Sequence, residues 1–114
     1  MTELMQALNG FISRYRIDEA LCADMRGWHC TICLQTSDAD DCLWLSIEDG
    51  RVSETVEGPS QPRLIVRSQR QVLLDILRFR LDPNEPYLFG ELTIEGNEDD
   101  FLRLDYVVTR LCEG

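Results

Sequence analysis

The residues best suited to chemistry lie together in Trp28-His29-Cys30-Thr31-Ile32-Cys33-Leu34, where the only histidine stands beside two thiols in C-x-x-C spacing. Three reactions would use such a set: attack by a Cys–His pair, thiol–disulfide exchange, or catalysis or structural binding by zinc. The surrounding pattern argues against each. The segment reads as a β-strand, and residues three apart in a strand face opposite sides about 10 Å apart. A redox C-x-x-C opens a helix instead. Zinc ligation by His29, Cys30 and Cys33 would need a break in the strand that the sequence does not announce. With Cys22, Cys42 and Cys112 the thiols number five, an odd count. Met1-Thr2-Glu3 lacks the basic start of a secretory leader, so a disulfide scaffold is not expected. No serine sits in a nucleophile elbow. A small enzyme built on His29 is therefore the minor alternative.

The charged residues narrow the choice further. Acids outnumber bases 21 to 11, for a net charge of -10, which disfavours nonspecific contact with nucleic acid. Every base is arginine. Schiff-base chemistry, a P-loop lysine and a kinase lysine are excluded together. No G-x-G-x-x-G motif is present, and no cofactor is expected. Asp38, Asp40 and Asp41 share a loop that would hold a metal weakly, but the EF-hand order is absent and no metal site is assigned. Residues 63–80 carry five arginines against Asp75, a local charge of +4 within a remainder of -14. Such a segment would pair with the acidic remainder or hold an anionic group.

The elements that position these residues follow from hydrophobic spacing. Leu4, Met5, Leu8, Phe11, Ile12 and Tyr15 mark an amphipathic first helix. Residues 18–27 are ambiguous. Strands are expected from Trp28 to Leu34, from Cys42 to Glu48 and from Arg51 to Val56, the last two joined by an Asp49-Gly50 hairpin turn, with Val52 and Val56 facing the core. Gly58-Pro59 and Pro62 mark a loop. Leu64-Ile65-Val66 is a short strand. Ser68 with Gln71 has capping-box spacing for a helix burying Val72, Leu73, Ile76 and Leu77. Asp82-Pro83-Asn84-Glu85 starts a short, proline-distorted helix ending at Gly90. Glu91 to Glu95 is a fifth strand. Asn97 caps a last helix with the stripe Phe101, Leu104, Val108 and Leu111. The fold class is α+β, a five-stranded largely antiparallel sheet packed on one face by helices, within one domain spanning residues 1–114. No apolar run approaches the roughly 20 residues of a membrane span.

Ordered along this outline are Asp49-Gly50-Arg51-Val52, Leu64-Ile65-Val66-Arg67-Ser68, Leu73-Leu74-Asp75-Ile76-Leu77, Leu81-Asp82-Pro83 and Leu88-Phe89-Gly90-Glu91-Leu92-Thr93-Ile94-Glu95-Gly96-Asn97. In order and spacing, residues 25–111 resemble the sterol carrier protein type 2 family. The most specific part is the last, with Gly90 before a strand and Gly96-Asn97 after it. The resemblance implies a sterol-carrier-like fold with a hydrophobic tunnel for acyl chains, sterols, phospholipids or other apolar molecules, and no catalytic residue. Relatives include stand-alone carriers, accessory proteins of ubiquinone synthesis, and terminal domains of alkyl sulfatases and acetyltransferases. Arg78-Phe79 departs from the glycine that many members carry after the middle helix, and Pro86 from a common alanine. The ending Leu111-Cys112-Glu113-Gly114 lacks the peroxisomal type of signal, which favours a bacterial-style, stand-alone, cytoplasmic member.

The function expected is noncovalent binding or carriage of a lipid or other hydrophobic small molecule. Its cavity wall would be drawn from Phe11, Tyr15, Ile76, Phe79, Phe89, Phe101, Leu104 and Val108. Arg67, Arg70 or Arg78 would hold a carboxylate or phosphate at the mouth. The alternative is a filled, ligand-free accessory module that docks on a partner enzyme or pairs with itself as a homodimer. Stable membrane insertion is not expected.

Overall fold

The computed structural model describes residues 3–39, 41–55 and 61–113. The first helix, α1 (Glu3–Arg16), buries Leu4, Ala7, Leu8, Phe11, Ile12 and Tyr15, the stripe its spacing announces. The ambiguous stretch after it forms a short helix, α2 (Glu19–Asp24). Asp18 caps this helix by accepting the Leu21 amide at 3.0 Å, and Leu21 is buried.

Three strands follow as an antiparallel meander: β1 (Cys30–Thr36), β2 (Cys42–Glu48) and β3 (Arg51–Thr55). Trp28 lies in the connection before β1 rather than inside the strand, yet it is buried. Asp49 and Gly50 turn the chain between β2 and β3 with φ of 51° and 76°, the left-handed pair of a tight hairpin. A Cβ on Gly50 would stand 2.6 Å from the Met25 carbonyl oxygen. The expected inward Val56, the Gly58-Pro59 loop and Asp40 lie outside the described residues.

Next come β4 (Leu64–Ser68), α3 (Arg70–Leu77), α4 (Asn84–Leu88), β5 (Leu92–Gly96) and α5 (Glu98–Glu113). One cap differs from expectation. Ser68 does not start α3; it ends β4, paired with Leu92, and its hydroxyl donates to the Glu91 carbonyl at 2.8 Å. Gln69 takes the cap position without a side-chain bond. Asp38 instead reaches across from the loop between β1 and β2 and accepts the Arg70 amide at 2.9 Å. Asp41 of the same loop pairs with the Arg70 guanidinium at 3.3 Å. These two acids therefore have structural partners. Asn97 caps α5 as expected, accepting the Asp100 amide at 3.1 Å.

The sheet order is β3-β2-β1-β4-β5, with β1 and β4 parallel and every other pair antiparallel. Alternation sends Ile32, Leu34, Leu43, Leu45, Ile47, Val52, Leu64, Val66 and Leu92 to the helix-covered face. Thr31, Cys33, Gln35, Cys42, Trp44, Ile65 and Arg67 alternate to the other face. Gly96 closes β5 at φ 137°, where a Cβ would collide with the Arg63 carbonyl. That close approach lets the chain turn directly from the β5 edge into α5.

Candidate ligand-binding cavity

The helices do not close completely on the sheet. Between them lies a cavity of about 380 Å³, within the roughly 300–1,000 Å³ range of small-molecule sites. Its floor is Ile32 and Leu34 of β1, Leu45 of β2, Val66 of β4, and Leu92 and Ile94 of β5. Phe11 of α1 and Leu73, Ile76 and Leu77 of α3 form one wall. Phe101, Leu104, Asp105 and Val108 of α5 form the opposite wall. Pro83, Asn84, Tyr87 and Leu88 complete the rim. Lining residues pass from buried to exposed at α4, where Leu88 is 80% exposed, and this marks the mouth.

Five of the eight side chains expected at the wall are brought together there: Phe11, Ile76, Phe101, Leu104 and Val108. Tyr15 is not. It faces the turn between β2 and β3, and its buried hydroxyl donates to the Gly50 carbonyl at 2.6 Å. Burial pushes its phenol well above the usual range, with the nearby Cys22 adding to the shift. Phe89 follows α4 and projects outward, 76% exposed. Phe79 stacks behind Phe11, with ring centroids 5.7 Å apart and planes at 16°, so it backs the wall without lining it. Its φ is 61°, a left-handed conformation that suits glycine and strains a bulky residue. At Phe79 this backbone strain is opposed by ring stacking, worth about 0.5–1.5 kcal/mol.

None of the three arginines expected at the mouth lines the cavity. Arg67 lies on the uncovered sheet face, donating to the Gln35 side-chain oxygen at 2.7 and 3.1 Å. Arg70 pairs with Asp41, and Arg78 with Glu3 at 3.4 Å. The polar lining residues are Asn84 and Asp105, and Tyr87 adds a phenol hydroxyl. Asp105 was legible: Phe101, Leu104, Asp105 and Val108 follow the i, i+3, i+4, i+7 pattern of one helix face. The floor residues carry the inward alternation expected of strands, a signal that does not separate cavity lining from packed core.

A buried carboxylate, paired with a half-exposed arginine, ties the first turn of α5 to the rest of the fold. Asp100 is 4% exposed. One of its oxygens accepts the Trp28 indole N–H at 2.9 Å, and the other accepts Arg63 Nε at 2.7 Å. The carboxylate in turn raises the Arg63 guanidinium above its usual value through that hydrogen bond and its charge.

His29 lies elsewhere, in an open groove of mixed polarity that Tyr15, Cys22, Arg26 and Asp49 also line. It is exposed, and its Nδ1 accepts the Asp49 amide at 3.4 Å. Cys22 donates to the Tyr15 carbonyl at 3.4 Å. Cys30 enters the core cluster while Cys33 faces the other side of the sheet, so the C-x-x-C thiols do not converge. Among the described residues no group of three His, Cys, Asp or Glu side chains is placed to hold a metal.

The model of the SCP-2 sterol transfer family matches residues 8–107. The chain belongs to that family. No curated protein matches it in sequence. Solved structures superpose on 77–95% of its length. The UbiJ-SCP2 ubiquinone synthesis protein does so with a TM-score of 0.71 at 14% identity, covering 95% of this chain and 94% of that one. Palmitated SCP2L2 from Aedes aegypti gives 0.63 at 15%, covering 93% and 91%. The stereoselective inverting sec-alkylsulfatase Pisa1 from Pseudomonas sp. gives 0.61 at 16% and covers 77% of this chain, which spans only 14% of that enzyme. The SCP-2 fold is one of lipid binding and transfer, and the α+β architecture with one parallel strand pair is shared with these neighbours. Among the described residues no helix is long and apolar enough to cross a membrane.

Proposed function

We propose that residues 1–114 act as one unit that binds an apolar small molecule, or the hydrophobic part of a lipid, noncovalently and without chemistry of their own. The supporting observation is the cavity of about 380 Å³, walled by aliphatic and aromatic side chains, with Asn84, Asp105 and the Tyr87 hydroxyl as its polar side-chain groups. Burial of each methylene is worth about 0.8 kcal/mol. A segment of about eight methylenes would supply about 6 kcal/mol gross, before the costs of association. The position of Asp105 favours a neutral or hydrogen-bond-donating polar end, such as a hydroxyl or amide. A carboxylate would meet like charge there, and the arginines that would have welcomed it are engaged elsewhere.

The test is calorimetric titration of delipidated protein with dodecanol and dodecanoate. Dodecanol is expected to bind more tightly, and Asp105→Asn to narrow the difference. Ile76→Trp, which fills the cavity from α3, is expected to weaken both ligands about tenfold or more, the equivalent of about 1.4 kcal/mol. Equal affinities untouched by Ile76→Trp would remove the reading.

A second reading is supported by the apolar side chains beside the mouth, Leu88 and Phe89, and by the SCP2 neighbour named for ubiquinone synthesis. On it, the chain presents itself or its bound ligand to a partner enzyme in the cytoplasm. Phe89→Asp would then abolish the partner complex while leaving dodecanol binding intact.

A further inference from the structure

Cys33 and Cys42 stand outside the cavity and play no part in the function proposed for it. In the β1–β2 ladder Cys33 faces Trp44 and Gln35 faces Cys42. The two cysteines are therefore diagonal neighbours on the sheet face that the helices leave uncovered. Their sulfurs are 2.8 Å apart, about 0.8 Å beyond the S–S bond length of roughly 2.04 Å. Their surroundings differ. Cys33 is 1% exposed, whereas Cys42 is open to solvent. Burial, followed by the hydrogen bond to Cys42, pushes the Cys33 thiol up to about 12. Near neutral pH Cys33 therefore holds its proton, and Cys42 is the sulfur that an oxidant reaches. Cys30 shares the C-x-x-C spacing with Cys33 but lies across the sheet, its thiol donating to the Thr31 carbonyl at 3.7 Å.

We propose that Cys33 and Cys42 form a reversible intrachain disulfide, with a hydroperoxide as the oxidant. The Cys42 thiolate attacks the O–O bond, taking one oxygen to become a sulfenic acid and releasing an alcohol, or water when the oxidant is hydrogen peroxide. The Cys33 sulfur then attacks the Cys42 sulfur. Hydroxide leaves and takes the Cys33 proton as water. Two thiols and one hydroperoxide thus become one disulfide, one alcohol and one water. An external thiol reverses the change by exchange. The link would join β1 and β2 on the side opposite Ile32, Leu34 and Leu45, which form part of the cavity floor.

The test treats the reduced chain with hydrogen peroxide, quenches it in denaturant with excess N-ethylmaleimide, and maps the cysteines by mass spectrometry. Trypsin leaves Cys30, Cys33 and Cys42 on one peptide, Gly27 to Arg51, and cleavage at the aspartates between Cys33 and Cys42 separates the two. The expected product has lost about 2 Da, carries label on Cys30, and holds Cys33 to Cys42 until a thiol reductant is added. In Cys42→Ser, a change at an exposed position, no link forms and Cys33 takes the label. In Cys33→Ala, Cys42 stops at the sulfenic acid and is trapped by dimedone. The proposal is overturned if wild-type Cys42 proceeds to sulfinic acid while Cys33 takes label. A bridge from either sulfur to Cys30, a bridge between chains, or no reaction at peroxide levels that oxidise free cysteine would overturn it as well.

Discussion

Cys30 shows how burial changes what a side chain can do. Its position beside His29 suggests a reactive thiol, but β1 turns it into the core. Burial foremost, and then the charge of Asp100, push its thiol up to about 12, against smaller lowering effects from Arg63 and a hydrogen bond with the Thr31 backbone. A thiol in the unfolded chain loses its proton near 9. The folded state thus retains a proton that the unfolded state releases, and the associated stability is full below about pH 9 and declines between about 9 and 12. Tyr15, also raised by burial, acts in the same direction. Under reducing conditions Tm is expected to fall steadily from pH 9 to 11, and Cys30→Ala to flatten part of that fall. A wild-type Tm that stays level through that range would contradict the assignment. Phe79 teaches a different lesson at this scale. Its ring is expected in the cavity wall, but it stacks behind Phe11 on a left-handed backbone. The aromatic residue after α3 could be read from the sequence; the direction of its side chain could not.

At the scale of elements, α5 matters most, because it supplies one wall of the cavity and is fixed at its first turn. The junction of Asp100 with Trp28 and Arg63 spans 72 and 37 residues of sequence. Asp100→Ala leaves the buried indole N–H without an acceptor, and such a loss costs about 1–3 kcal/mol. The variant is expected to unfold at lower denaturant with an unchanged m-value, and its dodecanol affinity to fall because α5 is no longer held over the floor. Full stability in this variant would show that packing alone holds α5. Asp100 was readable as a favourable acid near a helix N-terminus, but its long-range partners were not, since nothing local links them. The same boundary applies elsewhere. Hydrophobic period and turn chemistry carry α1, the Asp49-Gly50 hairpin, β5 and the Asn97 cap. They miss α2, whose single buried side chain gives no period, and they misplace the start of α3, because Asp38 reaches the Arg70 amide from a distant loop. The arginine-rich segment likewise reads as a cationic patch, although its members diverge to Gln35, Asp41 and Glu3 once β4 and α3 separate them.

At the scale of the whole molecule, ligand binding depends on space left between two layers. A chain of this composition could have packed its helices tightly onto the sheet. Here α1, α3 and α5 pack on the sheet yet leave a cavity of about 380 Å³, with α4 at its rim. Stability and function compete for this volume, because filling it would add packing contacts and remove the site. The most direct test is native mass spectrometry of gently purified protein, followed by delipidation and reloading with dodecanol, for wild type and Ile76→Trp. The account predicts a discrete apolar adduct on wild type that is lost on delipidation, regained at one per chain with dodecanol, and absent from a folded Ile76→Trp. A wild-type chain that stays at its bare mass through reloading, or an Ile76→Trp chain that binds as well as wild type, would contradict it.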